Sequence, residues 1–250
     1  MFSDWLIPLR NNKDSKINLL CFHHAGGTAL FFRKIIHYII PHINIYAIQL
    51  PGRDNRYLEE RLNRFDQVMI NLRQHVVPLL NNDHHLIIFG HSLGALIGYE
   101  FSKLLYQSNF SFIKHLIVSG RNPPSLSNRE KFILLDNDSL LKYLQDFGDI
   151  PPAIWQNRNI LDIYLPIIRS DFQIINSYNY QGPSNLPFAI SAFVGNSDKT
   201  LELEAIGSWA LESNIDFNQI MFEGGHFYIN DNLKEVCKHI NDIIMEYIVS

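Results

Sequence analysis

The sequence is poor in cysteine, in long apolar runs and in excess charge, and each shortage excludes a class of protein. Its 250 residues include 2 cysteines, Cys21 and Cys237, too few for a disulfide framework and typical of a reducing compartment. No apolar run has the roughly 20 residues of a membrane-spanning helix, and residues 1–5 lack the basic and apolar regions of a signal peptide. The formal net charge of -4 offers little attraction for nucleic acid or an anionic membrane. We therefore expect a cytoplasmic protein without either partner.

The chain does contain a regular alternation of apolar strand patterns and amphipathic helix patterns. Strand patterns lie at residues 17–22, 43–50, 86–89, 115–120, 187–194 and 217–222, with an edge strand at 5–9 that contains Pro8. Helix patterns lie at residues 29–40, 64–80, 93–105, 201–211 and 230–248. This alternation predicts one α/β domain, residues 1–250, built on a mainly parallel, doubly wound sheet.

The alternation stops between residues 121 and 185, where several prolines separate short helical patches. A segment of this length is too long for an ordinary connecting loop. We predict that residues 121–185 form an inserted helical lid over the carboxyl ends of the parallel strands.

The stretch 85–98 predicts a serine nucleophile at a sharp corner between a strand and a helix. Ser92 lies in Gly90-His91-Ser92-Leu93-Gly94, a match to Gly-x-Ser-x-Gly. Such a corner strains the serine backbone and pushes its hydroxyl out over the end of the sheet. Side chains two positions before and after the serine would collide, so glycine is expected at both. The alternative is an ordinary strand-loop-helix connection that happens to contain a small residue.

A serine hydroxyl is a weak nucleophile and needs a base that is oriented by an acid. Among the 11 histidines, His226 directly follows the last predicted strand and two glycines, at the same edge of the sheet as the serine. The chain order serine, acid, histidine then favours Asp198, in the loop after the strand at 187–194. Asp198 could instead be a turn residue or a helix N-cap. Asp171, in the predicted lid, is the weaker rival, and Asp216 precedes a strand.

An oxyanion needs two hydrogen-bond donors. The backbone N–H of Leu93 begins the helix after the nucleophile, and the loop that follows the strand at 17–22 offers the N–H of Ala25 as the second donor. His23 and His24 precede that loop residue and could suggest metal ligands. No further group with ligand spacing supports a metal, so we predict none.

Motifs along nearly the whole chain resemble the type II thioesterases of nonribosomal peptide and polyketide biosynthesis. They lie, in the family's order, at residues 22–28, 49–56, 90–95, 165–172, 195–198 and 224–227. The Pro-Gly-Arg loop that ends at Arg53 and the Leu-Pro-x-x-Arg-x-Asp-Phe segment that contains Arg169 are more specific than the serine motif. One departure is His23, where the family often has proline.

The resemblance implies an α/β-hydrolase that has no cofactor of its own and works through an acyl-serine intermediate. Its substrates would be misprimed or stalled acyl groups on the 4′-phosphopantetheine arm of acyl or peptidyl carrier proteins, its partners. Arg53 and Arg169 would contact substrate or, alternatively, form a buried ion pair or loop hydrogen bonds. We expect a monomer.

Two other functions stay open. One is an esterase or acyltransferase of the same fold that acts on small-molecule esters or acyl-CoA, because fold does not fix substrate. The other is a non-catalytic carrier-binding protein. The complete set of Ser92, Asp198 and His226 argues against the second.

Overall fold

One sheet organises the chain. A computed structural model describes residues 3–129, 136–146 and 157–248, and the described residues form a 7-stranded sheet in the order β1-β3-β2-β4-β5-β6-β7. Strand β1 pairs with β3 in antiparallel fashion, and every other pairing is parallel. The strands are β1 Leu6–Arg10, β2 Ile17–Phe22, β3 Asn44–Ile48, β4 His85–His91, β5 Ile113–Ser119, β6 Ala189–Gly195 and β7 Phe217–Phe222.

Helices cover both faces of this sheet. The α-helices are α1 Phe65–His75, α2 Leu93–Gln107, α3 Asn137–Asp146, α4 Arg158–Asn176, α5 Tyr228–Asp231 and α6 Leu233–Ile248. The main 3₁₀ segments are Ala29–His37, Pro124–Arg129 and Leu203–Glu212. None of the helices within the described ranges is both long and apolar enough to cross a membrane.

Two apolar cores, one on each face, explain why the central strands carry apolar side chains on both faces. In β4, Ile88 packs into the core that contains residues of α1, α2 and α4, while its neighbour Ile87 packs into the core that contains residues of α6. Strand β2 divides in the same way, with Leu20 on the first face and Leu19 on the second. Strands buried on both faces need no polar alternation. The predicted α/β-hydrolase architecture, with a mainly parallel and doubly wound sheet, is therefore confirmed.

The helix patterns located the helices but misjudged their continuity and type. The helix expected over 64–80 ends at His75, and Pro78 lies in a separate 3₁₀ turn, because proline cannot continue an α-helix. The last helix, expected over 230–248, is divided at Asn232, whose side-chain amide donates to the carbonyls of Glu223 and Tyr228. Local side-chain bonds of this kind compete with a helix.

The inserted segment, residues 121–185, contributes α3 and α4 but no strand within its described part. Asn157 caps α4 by accepting from the N–H of Asn159 at 3.1 Å. Residues 130–135 and 147–156, which belong to the predicted lid, lie outside the described residues. Helix α4 packs its buried side chains into the core shared with α1 and α2.

Candidate active site

Ser92 occupies the corner that the sequence predicts. It separates β4 from α2, with φ 56° and ψ −115°, a strained conformation for a residue with a side chain. A Cβ atom on Gly90 would lie 2.2 Å from the carbonyl oxygen of Gly94, and one on Gly94 would lie 2.0 Å from the carbonyl oxygen of Phe22. Glycine is therefore required at both positions by close approach of backbone. The N–H of Ser92 donates to the carbonyl of Ser119 at 2.7 Å, which anchors the corner to β5.

His226 and Asp198 form a direct hydrogen bond. Nδ1–H of His226 donates to Oδ2 of Asp198 at 2.8 Å. The Asp198 side chain is fully buried, and that of His226 is 11% exposed. A neutral imidazole that donates from Nδ1 keeps a lone pair on Nε2. This arrangement gives His226 the tautomer that a general base needs.

Strands β6 and β7 bring these two side chains together because their carboxyl ends are neighbours in the sheet. The N–H of Ser197, in the loop after β6, donates to the carbonyl of Gly224 after β7 at 2.9 Å. A Cβ atom on Gly195 would lie 2.3 Å from the carbonyl oxygen of Gly225. Only glycine at that position lets the two loops approach so closely.

Thr200 and Asn122 complete the surroundings of Asp198. The sequence analysis did not predict a role for either residue. Thr200 donates to Oδ1 of Asp198 twice, from its hydroxyl at 2.7 Å and from its N–H at 2.9 Å. Asn122, after β5, donates to the Thr200 carbonyl at 3.0 Å. Burial opposes the charge on Asp198, but the hydrogen bonds from His226 and Thr200 outweigh it and lower the pKa of Asp198. The Asp-x-Thr spacing was the available sequence signal for Thr200.

His91, the variable residue of the serine motif, lies behind His226. Its Nδ1 pairs with the hydroxyl of Ser119 at 2.9 Å, and that hydroxyl pairs with Tyr228 at 2.5 Å. The rings of His91 and His226 have centroids 5.2 Å apart. Burial is the main reason that the pKa of His91 lies well below its ordinary value, and the nearby His226 is the second. His91 therefore stays neutral.

The two expected oxyanion donors lie at the same edge of the sheet as Ser92. Leu93 is the first residue of α2, so its N–H has no acceptor within its own helix. Ala25 lies in the loop after β2. His23 and His24 both use Nδ1 on backbone carbonyls, those of His24 and Ala25. Among the described residues no group of three or more potential ligands could hold a metal.

Arg53 lies in a buried ion pair. It is not among the described residues that line the cavity around Ser92. Its Nη1 and Nη2 each lie 2.7 Å from one carboxylate oxygen of Asp171, and the side chains are 1% and 0% exposed. Asp171, on α4, also accepts from the N–H of Gly26 at 2.7 Å. The pair thus ties α4 to the loop that contains Ala25. Arg169 bonds Asn137 instead, with Nη2 2.7 Å from Oδ1.

An open cavity, with about 790 Å³ of empty space that includes its opening to solvent, joins the predicted site residues. Ser92, His226 and Ala25 all contribute to its wall, and one apolar side of it is formed by four residues of α4, Tyr164, Ile168, Phe172 and Ile175. The lining residues are His24, Ala25, Ser92, Gly120, Arg121, Asn122, Tyr143, Leu144, Tyr164, Ile168, Phe172, Ile175, Thr200, Leu201, His226 and Phe227. The wall suits an apolar group whose reacting atom lies beside the serine.

Buried neutral histidines make the fold sensitive to acid. Burial lowers the pKa of His23 to about 3 and those of His24 and His115 to about 4. A histidine in the unfolded chain has a pKa of about 6.5, so at pH values between 6.5 and these lowered pKa values the unfolded chain binds more protons than the folded chain. The stability of the fold is therefore complete above pH 6.5 and is lost as the pH falls. We expect the melting temperature to fall steadily from pH 7 to pH 5, with about 2 kcal/mol lost per histidine at pH 5. His115→Leu should make this slope shallower, whereas an unchanged slope would contradict the assignment.

Comparison with known proteins places these features in a family context. A family model described as "Thioesterase domain" matches residues 17–244. The gramicidin S biosynthesis protein GrsT of Aneurinibacillus migulanus is 29% identical over 245 residues, which cover 96% of this chain and 95% of that protein. Thioesterase PikA5 of Streptomyces venezuelae is 29% identical over 244 residues, which cover 96% and 85%. The solved type II thioesterase BorB, from the borrelidin biosynthetic cluster, has a TM-score of 0.85 and 26% identity, with 96% and 98% covered.

Proposed function

The chain belongs to the thioesterase family, and from this premise we propose that it removes acyl groups from the phosphopantetheine arm of carrier proteins. Its relatives include a gramicidin S biosynthesis protein and a type II thioesterase from a borrelidin cluster. The proposed role is to regenerate carriers of a nonribosomal peptide or polyketide synthase that hold a wrong or stalled acyl group. The observation that carries this proposal is the single cavity shared by Ser92, His226 and Ala25.

In the first half of the reaction, the hydroxyl of Ser92 attacks the thioester carbonyl while Nε2 of His226 takes the hydroxyl proton. Asp198 holds the imidazole by its Nδ1–H and stabilises the cation that forms. The N–H groups of Leu93 and Ala25 bind the developing oxyanion, assisted by the positive end of the α2 dipole. The carbon–sulfur bond then breaks. Because a thiol has a pKa near 8.5, its thiolate leaves readily, and it takes up the proton from Nε2 of His226, so the product is the free thiol and the imidazole is neutral again for the second half.

In the second half, water hydrolyses the acyl-serine. Nε2 of His226 takes a proton from the water as the water attacks the same carbonyl, and returns it to the oxygen of Ser92 as the carbon–oxygen bond breaks. The products are the free acid and the original enzyme, so the two steps balance with the thioester and water alone.

The inserted segment, residues 121–185, acts as a lid in this proposal. Helix α4 supplies the apolar side chains Tyr164, Ile168, Phe172 and Ile175 to the cavity, and α3 supplies Tyr143 and Leu144. Four of these positions recur every three or four residues along α4, so one face of that helix borders the acyl group. This apolar side of the cavity suits a hydrocarbon acyl chain.

The carrier protein itself should raise efficiency over the same acyl group on a small thiol. Arg158, at the start of α4, has a side chain 90% exposed and is a candidate contact for an acidic carrier. Rim charges act mainly on the encounter rate, and salt screens them. We expect kcat/KM for an acyl-carrier to exceed that for the same acyl group on coenzyme A or a short thiol, with an excess that shrinks as salt rises. The experiment measures kcat/KM for one acyl group attached to each of the three thiols, at low and at high ionic strength.

A matched pair of variants sharpens this test. Arg158→Glu should reduce the advantage of the carrier substrate, whereas Lys238→Glu, on α6 with a 70% exposed side chain, should leave it unchanged. Equal values of kcat/KM on all three thiols at both salt concentrations would contradict the carrier-editing role. The protein would then be a hydrolase of free thioesters. A matched oxygen ester tests one alternative, an esterase, which would prefer the ester to every thioester.

A further inference from the structure

The peptide between His24 and Ala25 is held by its carbonyl end. The carbonyl oxygen of His24 accepts from Nδ1–H of His23 at 2.8 Å and from the N–H of Gly27 at 3.0 Å. A trans peptide is planar, so the direction of its C=O also fixes the direction of its N–H on the opposite side. That N–H belongs to Ala25, the second oxyanion donor of the proposed mechanism.

The next peptide, between Ala25 and Gly26, is held at both ends. The Ala25 carbonyl accepts from Nδ1–H of His24 at 2.9 Å, and the N–H of Gly26 donates to Asp171 at 2.7 Å. Ala25 therefore lies between two peptide planes of fixed orientation. Three side chains, those of His23, His24 and Asp171, set the geometry of the small residues 25–27 of this loop.

The state of the His23 side chain suits this task. His23 is 3% exposed, and since a carbonyl oxygen can only accept, the proton of its neutral ring lies on Nδ1. Its Nε2 is buried without a hydrogen-bond partner among the described residues. An unsatisfied buried acceptor costs about 1–3 kcal/mol. An apolar residue of similar volume would avoid that cost but would leave the His24 carbonyl without one of its two donors.

We propose that His23 is a positioning residue, whose Nδ1–H orients the His24 carbonyl and thereby aims the Ala25 N–H at the oxyanion. This inference rests on the proposed function, because it takes the Ala25 amide as an oxyanion donor. His23 does not border the cavity in the described part of the chain, so it acts through the peptide and without touching substrate.

Two substitutions at this position separate the hydrogen bond from the volume of the ring. His23→Leu removes the donor, and His23→Asn keeps a side-chain N–H near the place of Nδ1. We expect His23→Leu to lower kcat on an acyl thioester about 10- to 100-fold with KM within about 2-fold, since loss of a whole oxyanion donor costs about 10²- to 10³-fold. His23→Asn should recover kcat to within about 3-fold of the original protein.

His115→Leu is the matched control for loss of a buried histidine. His115 is 5% exposed, bonds Ser191 at 2.9 Å, and lies near the amino end of β5, away from the cavity. Its replacement should lower the melting temperature without changing kcat. The proposal is overturned if His23→Leu keeps its kcat, if His23→Asn loses as much as His23→Leu, or if His115→Leu loses kcat equally.

The rate at which a fluorophosphonate labels Ser92 supplies a second readout that needs no thioester substrate. The tetrahedral phosphorus adduct also places an oxygen between the two oxyanion donors, so His23→Leu should slow labelling and His23→Asn should restore it. Labelling of the original protein without thioester hydrolysis would overturn the proposed function, and the His23 comparison would still be decided by the labelling rates. Equal labelling rates in all variants would overturn the role of His23.

Discussion

Ser92→Ala is expected to lower kcat by about 10⁴-fold or more, because the acyl-serine intermediate can no longer form. Binding should persist, since the cavity wall contributed by α4 is unchanged, so KM should move far less than kcat. Single-turnover hydrolysis at several concentrations of an acyl thioester measures the loss of rate and the change in apparent affinity. Mass spectrometry of a fluorophosphonate adduct identifies the nucleophile. An adduct on Ser92→Ala would place the nucleophile elsewhere.

Asp198→Asn tests the acid of the same catalytic group. Asparagine keeps the size of the side chain but holds the His226 ring in the wrong tautomer, so kcat should fall by a comparable or smaller factor than in Ser92→Ala. Asp171→Asn, in the buried ion pair, should lower kcat at most about 10-fold, and the exposed Asp216→Asn should leave it unchanged. Near-normal turnover by Asp198→Asn together with loss in Asp171→Asn would mean that the acid is misassigned.

Asp171→Ala is expected to give the largest loss of stability. It would leave the guanidinium of Arg53 buried without its counter-ion, a change that typically costs about 3–5 kcal/mol. For a chain of this size each kcal/mol lowers the melting temperature by about 2–4 °C, so the fall should be on the order of 10 °C. Thermal unfolding followed by circular dichroism measures it.

Two comparisons isolate the cause of that loss. Asp66→Ala breaks the ion pair between Asp66 and Arg64, whose side chains are 56% and 60% exposed, and should cost far less stability because solvent screens an exposed pair. The double variant Arg53→Met, Asp171→Leu removes both buried charges and should recover much of the stability lost in the single variant. If Asp171→Ala and Asp66→Ala melt at the same temperature, the buried pair contributes no more than a surface pair.

The sequence by itself determined the features that depend on neighbouring residues. Strands β2 and β7 have the bounds that their sequence patterns predict, and Pro8 lies in an edge strand as expected. The corner at Ser92 is predicted from the glycines two positions to either side. For Gly90 the steric requirement is local, because its neighbour is the backbone of Gly94, whereas Gly94 must be glycine because the carbonyl of Phe22 in β2 lies against it. The chain order of Ser92, Asp198 and His226, each after a parallel strand, predicted that all three would face one edge of the sheet, because parallel strands end together.

Only the tertiary structure decided which distant side chains meet. Arg53 and Asp171 are 118 positions apart, and no local pattern predicts that a helix of the inserted segment brings its carboxylate to that arginine and to Gly26. The hydrogen bonds from Thr200 to Asp198 and from His23 to the neighbouring carbonyl depend on side-chain rotamers in a packed interior. Hydrophobic periodicity specifies which face of an element is buried, but it carries no information about which polar atoms lie opposite each other once the elements pack.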